Sequence, residues 1–249
     1  MLAQPITASA SPSPALTTSP LIVLERVTKV YGVGQAAVHA LRGIDLHVAA
    51  AEFVAVMGPS GSGKSTAMNI LGCLDVSTTG SYRFNGVDVG SLTRNQRALL
   101  RRYYFGFVFQ GFNLLNRTSA LENVELPLIY RGLPPAERRA QARQALRAVG
   151  LEGWERHTPG ELSGGQLQRV AIARAIVTAP SVLFADEPTG NLDTARSREI
   201  MELLAAFNRD RGLTVLMVTH EAEMAAYADR IIKFRDGLIE GEEYKELTQ

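Results

Sequence analysis

The segment "GPSGSGKST" at residues 58–66 constrains the fold of this chain more than any other feature. It places three glycines between an apolar run of strand composition, residues 53–57, and a run that can continue as a helix, residues 67–71. A tight turn would explain the glycines, which tolerate positive φ, but not the lysine and hydroxyls that follow directly. A strand, a glycine-rich loop and a helix in this order predict an α/β domain with an anion-binding loop.

The loop has the pattern G-x-x-x-x-G-K-[ST]. Glycine lets backbone N–H groups turn toward an anion, and the helix N-terminus adds the positive end of its dipole. Lys64 is placed to reach the β- and γ-phosphates of a nucleotide, and the Ser65 hydroxyl to ligate Mg²⁺. The pattern therefore predicts a nucleoside triphosphate site. Its predicted binding residues are Gly58, Pro59, Ser60, Gly61, Ser62, Gly63, Lys64, Ser65 and Thr66.

Runs of strand composition alternate with helical patterns along most of the chain. The predicted strands are residues 21–27, 44–48, 53–57, 81–84, 106–109, 182–185, 214–218 and 231–234. A helix is predicted over 134–149, because prolines open it, apolar residues repeat at helical spacing, and Gly150 follows. This alternation indicates an α/β sheet with helices on its faces. Residues from about 111 to 179 lack a convincing strand and predict an inserted helical subdomain.

Paired carboxylates follow the apolar run at 182–185. A buried strand that ends in Asp186 and Glu187 fits a site at the carboxyl edge of a parallel sheet. Asp186 would hold Mg²⁺, directly or through water, and Glu187 would polarise an attacking water. An Asp-Glu pair after a strand is more often only the start of a loop, but beside a phosphate loop it indicates function.

A second glycine-rich segment, "LSGGQ" at residues 162–166, precedes another helix-compatible run. The N–H groups of Ser163, Gly164 and Gly165 at a helix start would form a second anion-binding surface. The same residues also fit a plain capped helix, with Ser163 as N-cap and Gln166 completing a capping box. Both interpretations can hold at once.

Four segments taken in order, "GPSGSGKST", "LSGGQ", "VLFADEPTGNLD" and "VTH", resemble the ATP-binding subunit of an ABC transporter over residues 21–240. "LSGGQ" is the specific element, because most other phosphate-loop NTPases lack it. The resemblance implies a phosphate-loop ATPase core with a mixed sheet, an antiparallel β edge and the inserted helical subdomain. Residues 1–20, rich in Ser, Thr, Ala and Pro and without charge, are expected to form a disordered arm, and residues 241–249 a tail.

The resemblance also implies roles for residues that motif spacing alone does not single out. Tyr31 would stack on adenine, and Gln110 would reach both Mg²⁺ and the attacking water. Asp193 would lie in the loop joining the two sites, and His220 would contact the γ-phosphate. The other histidines, among them His39, have no such placement and are expected to be incidental.

The family arrangement gives a use for two phosphate-binding segments in one chain. Two copies would pack head to tail when ATP binds, each nucleotide held between one copy's phosphate loop and the other's "LSGGQ". Further segments, such as "LGCLDVSTTGSYRFNG" at 71–86, resemble the branch that includes macrolide exporters and the lipoprotein-release system. Because the chain ends at Gln249, the permease is expected to be a separate polypeptide, with this subunit on the inner face of the cell membrane.

Composition restricts the alternatives. No run approaches the ~18 consecutive apolar residues of a membrane span, so a partner would have to supply the spans. The net charge of +1 argues against a nucleic-acid partner, and the basic clusters at 94–102 and 138–147 are expected to be solvated helix faces. A soluble ABC-type protein acting on ribosomes or DNA usually carries two cassettes or a long coiled coil. A small-molecule kinase would leave "LSGGQ", Gln110 and His220 unexplained.

Overall fold

A computed structural model describes residues 20–245, which form ten strands and seven α-helices. The strands are β1 (Ile22–Tyr31), β2 (Val38–Val48), β3 (Phe53–Met57), β4 (Thr79–Phe84), β5 (Val87–Asp88), β6 (Phe105–Phe109), β7 (Val182–Asp186), β8 (Thr214–Val218), β9 (Arg230–Arg235) and β10 (Leu238–Tyr244). The helices are α1 (Lys64–Leu71), α2 (Arg94–Tyr104), α3 (Ala120–Tyr130), α4 (Pro135–Ala148), α5 (Gly164–Ile176), α6 (Thr194–Arg211) and α7 (Ala222–Ala225). The predicted arm, apart from Pro20, and the last four residues of the predicted tail lie outside the described residues.

The centre of the fold is a six-stranded sheet in the order β10-β9-β3-β8-β7-β6. Strands β9, β3, β8, β7 and β6 are parallel, and β10 pairs antiparallel with β9 at one edge. Strand β8 is buried along its whole length, and β3 and β7 are buried except at their last residues. Such continuous apolar runs are typical of parallel strands that have helices over both faces.

A second, antiparallel sheet has the order β2-β1-β4-β5. Its inner side chains share a buried cluster with α1 and with Val54 and Val56 of β3. The alternating residues Phe53 and Ala55 belong to a second cluster, formed with α3 to α6. Because successive side chains of a strand point to opposite faces, the two clusters cover opposite faces of the central sheet. Helix α1 is therefore held between the two sheets.

Residues 110–181 contain no strand and carry α3, α4 and α5, which pack on one another. Each helix start has a local reason in the sequence. Ser119 and Glu122 form a capping box at α3, Pro135 opens α4, and Ser163 caps α5. Helix α4 coincides with the predicted helix to within a residue at each end.

The structure differs from the sequence prediction at β10, which runs past the predicted domain boundary at residue 240 to Tyr244. Its sequence, "LIEGEEY", is too polar to indicate a strand. The almost fully buried Arg230 of β9 supplies the reason for the pairing. Its guanidinium contacts Glu52 at 2.7 Å and Glu242 of β10 at 2.9 Å, and lies 5.6 Å from the ring centre of Tyr244. An ion-pair network thus holds β10 on the sheet.

Within residues 20–245, no helix combines the length and the apolar character that crossing a bilayer requires.

Candidate functional site

Four parallel strands bring the predicted site residues to one edge of the sheet. Val218 at the end of β8 pairs with Val56 of β3 on one side and with Asp186 of β7 on the other. Asp186 in turn pairs with Phe109 at the end of β6. The phosphate loop, the carboxylates, Gln110 and His220 therefore all follow the carboxyl ends of neighbouring strands, where open α/β sheets bind ligands.

The phosphate loop is fixed by close backbone contacts that only glycine allows. A Cβ on Gly58, whose φ is +148°, would lie 2.2 Å from the carbonyl oxygen of Phe234 in β9. A Cβ on Gly63, whose φ is +102°, would lie 2.5 Å from the carbonyl oxygen of Ala40 in β2. Both glycines combine a positive φ with a space too small for a side chain. The loop therefore lies between β9 of the central sheet and β2 of the antiparallel sheet, at the start of α1.

A cavity of about 380 Å³ opens at this loop. Its lining residues are Val38, His39, Ala40, Gly58, Ser60, Gly61, Gly63, Lys64, Ser65, Thr66, Glu187, Val218 and His220. The Lys64 side chain is buried, and its ammonium donates to the carbonyl oxygens of Gly58 and Pro59, both at 2.8 Å. Backbone amides, a helix N-terminus and a buried cation around one cavity fit a polyphosphate.

Glu187 lines this cavity, whereas Asp186, the residue before it, is not among the lining residues. Burial raises the pKa of Asp186, the charge of Glu187 raises it further, and the Lys64 ammonium opposes both. Glu187 leaves the strand with φ of +46°, and its N–H donates to the carbonyl of Val218 at 2.9 Å. Its carboxylate lies 3.1 Å from Nδ1 of His220.

The predicted Mg²⁺ ligands are Ser65, Asp186 and Gln110. Among residues 20–245 no three or more His, Cys, Asp or Glu side chains form a metal cluster. One carboxylate and one hydroxyl beside a phosphate cavity nevertheless fit Mg²⁺, which is usually held by one or two carboxylates together with substrate phosphates and water. The side chain of Gln110 packs against Gly190. Its backbone carbonyl accepts a hydrogen bond from the Asn191 side chain at 2.7 Å.

The "LSGGQ" segment forms the predicted capping box at the start of α5. Ser163 Oγ accepts from the N–H of Gln166 at 3.4 Å, and Gln166 accepts from the N–H of Ser163 at 2.9 Å. Gly165 lies under Arg196, since a Cβ there would be 2.9 Å from Cδ of that residue. Arg196 is paired with Asp193, the N-cap of α6. The segment and Asp193 thus lie together, and none of residues 163–166 lines the phosphate cavity.

Tyr31 lies beside the cavity and is not one of its lining residues. It is the last residue of β1 and pairs across the antiparallel sheet with Val38, which does line the cavity. The residue is 41% exposed, and its hydroxyl donates to Asp75 at 2.7 Å. An exposed aromatic residue next to the phosphate loop is compatible with the predicted stacking on a base.

The sequence prediction missed two parts of this region. Val38, His39 and Ala40 line the cavity, although no motif placed His39 there; the expectation that His39 has only an incidental role stays a prediction. Only the long-range pairing of β2 with β1 brings these residues there. Gln168 of α5 is fully buried and donates to the carbonyl of Pro188 at 2.5 Å, which ties the "LSGGQ" helix to the segment after β7. In the sequence, the signal for this contact was a glutamine at a helix position where an apolar residue is expected.

Comparison with known proteins gives the family. Residues 41–190 match the family model described as ABC transporter, and the chain belongs to that family. It is 53% identical over 218 residues to the macrolide export ATP-binding/permease protein MacB of Marinobacter nauticus, an alignment covering 88% of this chain and 34% of that protein. It is 52% identical over 229 residues to the pyoverdine export ATP-binding/permease protein PvdT of Pseudomonas fluorescens, covering 92% and 35% respectively. The chain thus spans about a third of these curated relatives.

Solved structures agree with this family. A dimeric post-hydrolysis state of the ATP-binding cassette MJ0796, bound to ADP and Pi, matches with a TM-score of 0.83 at 44% identity, covering 90% of this chain and 98% of that one. The chain cbiO1 from Clostridium perfringens, part of the ABC transporter complex cbiONQ, matches with a TM-score of 0.83 at 29% identity, covering 91% and 89%. These findings confirm the predicted ABC ATPase, its macrolide-export branch, and the α/β fold with a mixed sheet and an antiparallel β edge.

Proposed function

We propose that this chain binds ATP with Mg²⁺ at the phosphate loop and hydrolyses it in a head-to-tail dimer that drives a membrane permease. One observation carries the proposal: two glycine-rich helix starts, the phosphate loop and "LSGGQ", do not share one cavity within the chain. The first encloses Lys64 in the cavity, whereas the second, at Ser163, lies outside its lining. A second copy of the chain brings the two surfaces together over one nucleotide.

In the binding step, the loop from Gly58 to Gly63 turns its amides toward the phosphates, and Lys64 neutralises part of their charge. Ser65 and Asp186 hold Mg²⁺, which supplies a positive charge that stabilises the transferring phosphoryl group. Tyr31 stacks on the base. The exposed tyrosine and the glycine contacts described above support these assignments.

In the chemical step, Glu187 accepts the proton of the attacking water, whose oxygen bonds to the γ-phosphorus as the bond to the β-phosphate oxygen breaks. Nδ1 of His220 lies 3.1 Å from the Glu187 carboxylate in the structure, and this hydrogen bond orients that carboxylate. Gln110 follows β6 at the same edge and helps to place the water and the Mg²⁺. Gln110, Glu187 and His220 are thus proposed as the catalytic residues.

Dimerisation completes the site. In this proposal Ser163, Gly164, Gly165 and Gln166 of the partner copy contact the γ-phosphate, and Asp193 lies in the loop between the two sites. Dimer closure assembles the site, and hydrolysis reopens it. The dimeric cassette found among similar structures supports this arrangement for a relative.

The permease partner is proposed from the relatives and from one surface of this chain. A cleft of about 570 Å³ lies between α2, β6, α3 and α5, and its rim carries exposed Leu74 and Tyr130. Exposed apolar side chains around a cleft mark an interaction site. We assign the cleft to a cytoplasmic segment of a macrolide-export or lipoprotein-release type permease, which would place this chain at the inner face of the cell membrane. The curated relatives are named for both ATP binding and permease, so co-purification decides whether the permease is a separate polypeptide.

The dimer is tested with two variants. Glu187→Gln blocks hydrolysis and should let an ATP-dependent dimer accumulate, seen as a doubled mass in light scattering with MgATP. Adding Ser163→Arg should abolish that dimer while ATP binding by the monomer persists, because the arginine lies on the surface offered to the other copy.

Arg198→Ala in the same background is a matched control, since Arg198 is exposed on α6 and pairs only with Glu223 among the described residues. It should leave the dimer intact. An ATP-dependent dimer that survives Ser163→Arg would mean that "LSGGQ" is only a capped helix start, and the proposed head-to-tail site would be wrong.

A further inference from the structure

The ring of Tyr31 is held by two charged side chains that no motif singles out. Lys29 lies two residues earlier in β1, and its ammonium sits 4.7 Å from the centre of the Tyr31 ring. The Tyr31 hydroxyl donates to Oδ2 of Asp75 at 2.7 Å. One face of the ring and its polar end are therefore both occupied by fixed groups.

Asp75 links these two residues to the helix of the phosphate loop. Its Oδ1 accepts from Lys29 Nζ at 2.7 Å and from the N–H of Val76 at 2.7 Å, while Oδ2 accepts from Tyr31. Lys29 also donates to the carbonyl of Val76 at 2.8 Å. The N–H of Asp75 donates to the carbonyl of Asn69 in α1 at 3.1 Å. The strand that carries Tyr31 is thus joined to α1 by an ionic cluster.

The electrostatics favour a charged cluster at neutral pH. Burial alone would raise the pKa of Asp75, but the hydrogen bonds from Lys29, Tyr31 and the Val76 N–H, together with the Lys29 charge, hold it below its ordinary value. Lys29 is buried with 8% of its surface exposed. The ammonium of Lys29 and the hydroxyl of Tyr31 both donate to the Asp75 carboxylate. Hydrogen bonds to an ionised group are shorter and stronger than those between neutral groups.

This geometry leaves one face of the ring for a ligand. The ammonium covers one face at a cation–π distance, and Tyr31 as a whole still exposes 41% of its surface. An exposed tyrosine can exchange among a few staggered χ1 rotamers, and the contact of the hydroxyl with Asp75 favours the one observed orientation of the ring. Base–aromatic stacking depends on that orientation, because the two planes must be parallel and in contact.

We propose that Asp75 and Lys29 are positioning residues that hold the Tyr31 ring for stacking on the nucleobase, and so set affinity for the base but not for the triphosphate. The inference rests on the proposed function, in which Tyr31 contacts the base. It goes beyond that function by assigning the base affinity to an ionic cluster outside the phosphate loop. The phosphate cavity itself contains neither Lys29 nor Asp75 in its lining.

The test separates base from phosphate by using two probes, MgATP and inorganic tripolyphosphate with Mg²⁺, in calorimetric titrations. Asp75→Ala should weaken ATP binding by about three- to tenfold, part of the loss that removal of a stacking aromatic produces. Its affinity for tripolyphosphate should stay unchanged. Lys29→Met should act in the same direction. In a Tyr31→Ala background, Asp75→Ala should add no further loss, because both variants remove one interaction.

Asp210→Ala is the matched control, since Asp210 is exposed near the end of α6 and pairs with its neighbour Arg209. An equal loss for both probes in Asp75→Ala would overturn the proposal, because it would mean a structural role acting through α1. Unchanged ATP affinity would overturn it as well. If Tyr31→Ala leaves ATP binding intact, the base-stacking assignment and the positioning role fail together. If the unaltered protein binds neither probe, the proposed function itself fails.

Discussion

The phosphate loop and the "LSGGQ" segment use the same local chemistry in opposite settings. Each presents glycines, a serine and the start of a helix, α1 in one case and α5 in the other. The phosphate loop surrounds a buried cation: Ser62 and Lys64 are 2% and 9% exposed, and Gly58 and Gly63 touch the backbone of β9 and β2, while Ser60, Gly61 and Ser65 are exposed. In the second segment Gly165 is buried, and the serine that would meet a phosphate, Ser163, is exposed with its hydroxyl already accepting from Gln166.

This difference indicates which of the two surfaces can bind a nucleotide without a second copy of the chain. A loop around a buried cation offers a polyphosphate many donors at once within a single chain. An exposed helix start has only its own dipole and amides, and salt screens these interactions readily. The first surface is therefore expected to bind nucleotide in the monomer, and the second to contribute only after a second copy covers it.

The largest expected effect is on the chemistry at the phosphate loop. Glu187→Gln keeps the shape of the side chain but removes the base, so turnover should fall by about 100-fold or more. ATP affinity should persist, because the residue acts on water and not on the phosphates. Steady-state phosphate release together with calorimetric ATP binding provides the measurement.

Glu202→Gln, an exposed change of the same type on α6, serves as its control and should keep normal turnover. Normal hydrolysis in Glu187→Gln would remove Glu187 from the catalytic role. The contact with His220 would then be structural, and the base would have to come from another group at the same edge.

A smaller effect is expected on binding at the same loop. Lys64→Ala removes the buried ammonium, and ATP affinity should fall by about tenfold to hundredfold, the usual range for a hydrogen bond to a charged group. Lys233→Ala on β9, where the lysine is exposed and paired with Glu243, should leave affinity unchanged. Calorimetry with equal affinities for both variants would contradict this role of the buried ammonium.

Where the sequence carried a local signal, the prediction succeeded. The loop at 58–66, the strands β3 and β8 and the cap at Ser163 all follow from residues adjacent in the chain. Their reasons are local: glycine conformations, continuous apolar runs and a capping box. The order of the parallel strands then brings Asp186 and His220 to the loop.

The sequence prediction missed the features that depend on contacts between residues distant in the chain. His39 reaches the cavity only because β2 pairs with β1, and Asp75 reaches Tyr31 only because the chain folds back after α1. The polar strand β10 depends on the ion pairs of Arg230. In the basic cluster expected to be a solvated helix face, Arg101 instead donates to the carbonyl of Cys73 at 2.7 Å. None of these contacts leaves a periodic pattern, since each joins residues distant in sequence.

The smallest expected effect compares the two serines in the nucleotide-free protein. Ser163 caps α5, and Ser163→Ala should lower the free energy of unfolding by about 1 kcal/mol, the typical cost of losing an N-cap. Ser62 is buried, and its hydroxyl has no hydrogen-bond partner within residues 20–245. Ser62→Ala removes a polar group whose burial is already unfavourable, so stability should be unchanged or slightly higher.

Urea unfolding of both variants measures this difference, with Ser181→Ala at an exposed position before β7 as the control substitution. The sign of the difference matters more than its size. If Ser62→Ala destabilises the protein as much as Ser163→Ala does, the loop hydroxyl must contribute to the fold itself. The phosphate loop would then be rigid because of its own side-chain bonding. If only Ser163→Ala destabilises it, that rigidity comes from the glycine contacts with β2 and β9, and the "LSGGQ" segment depends on its cap.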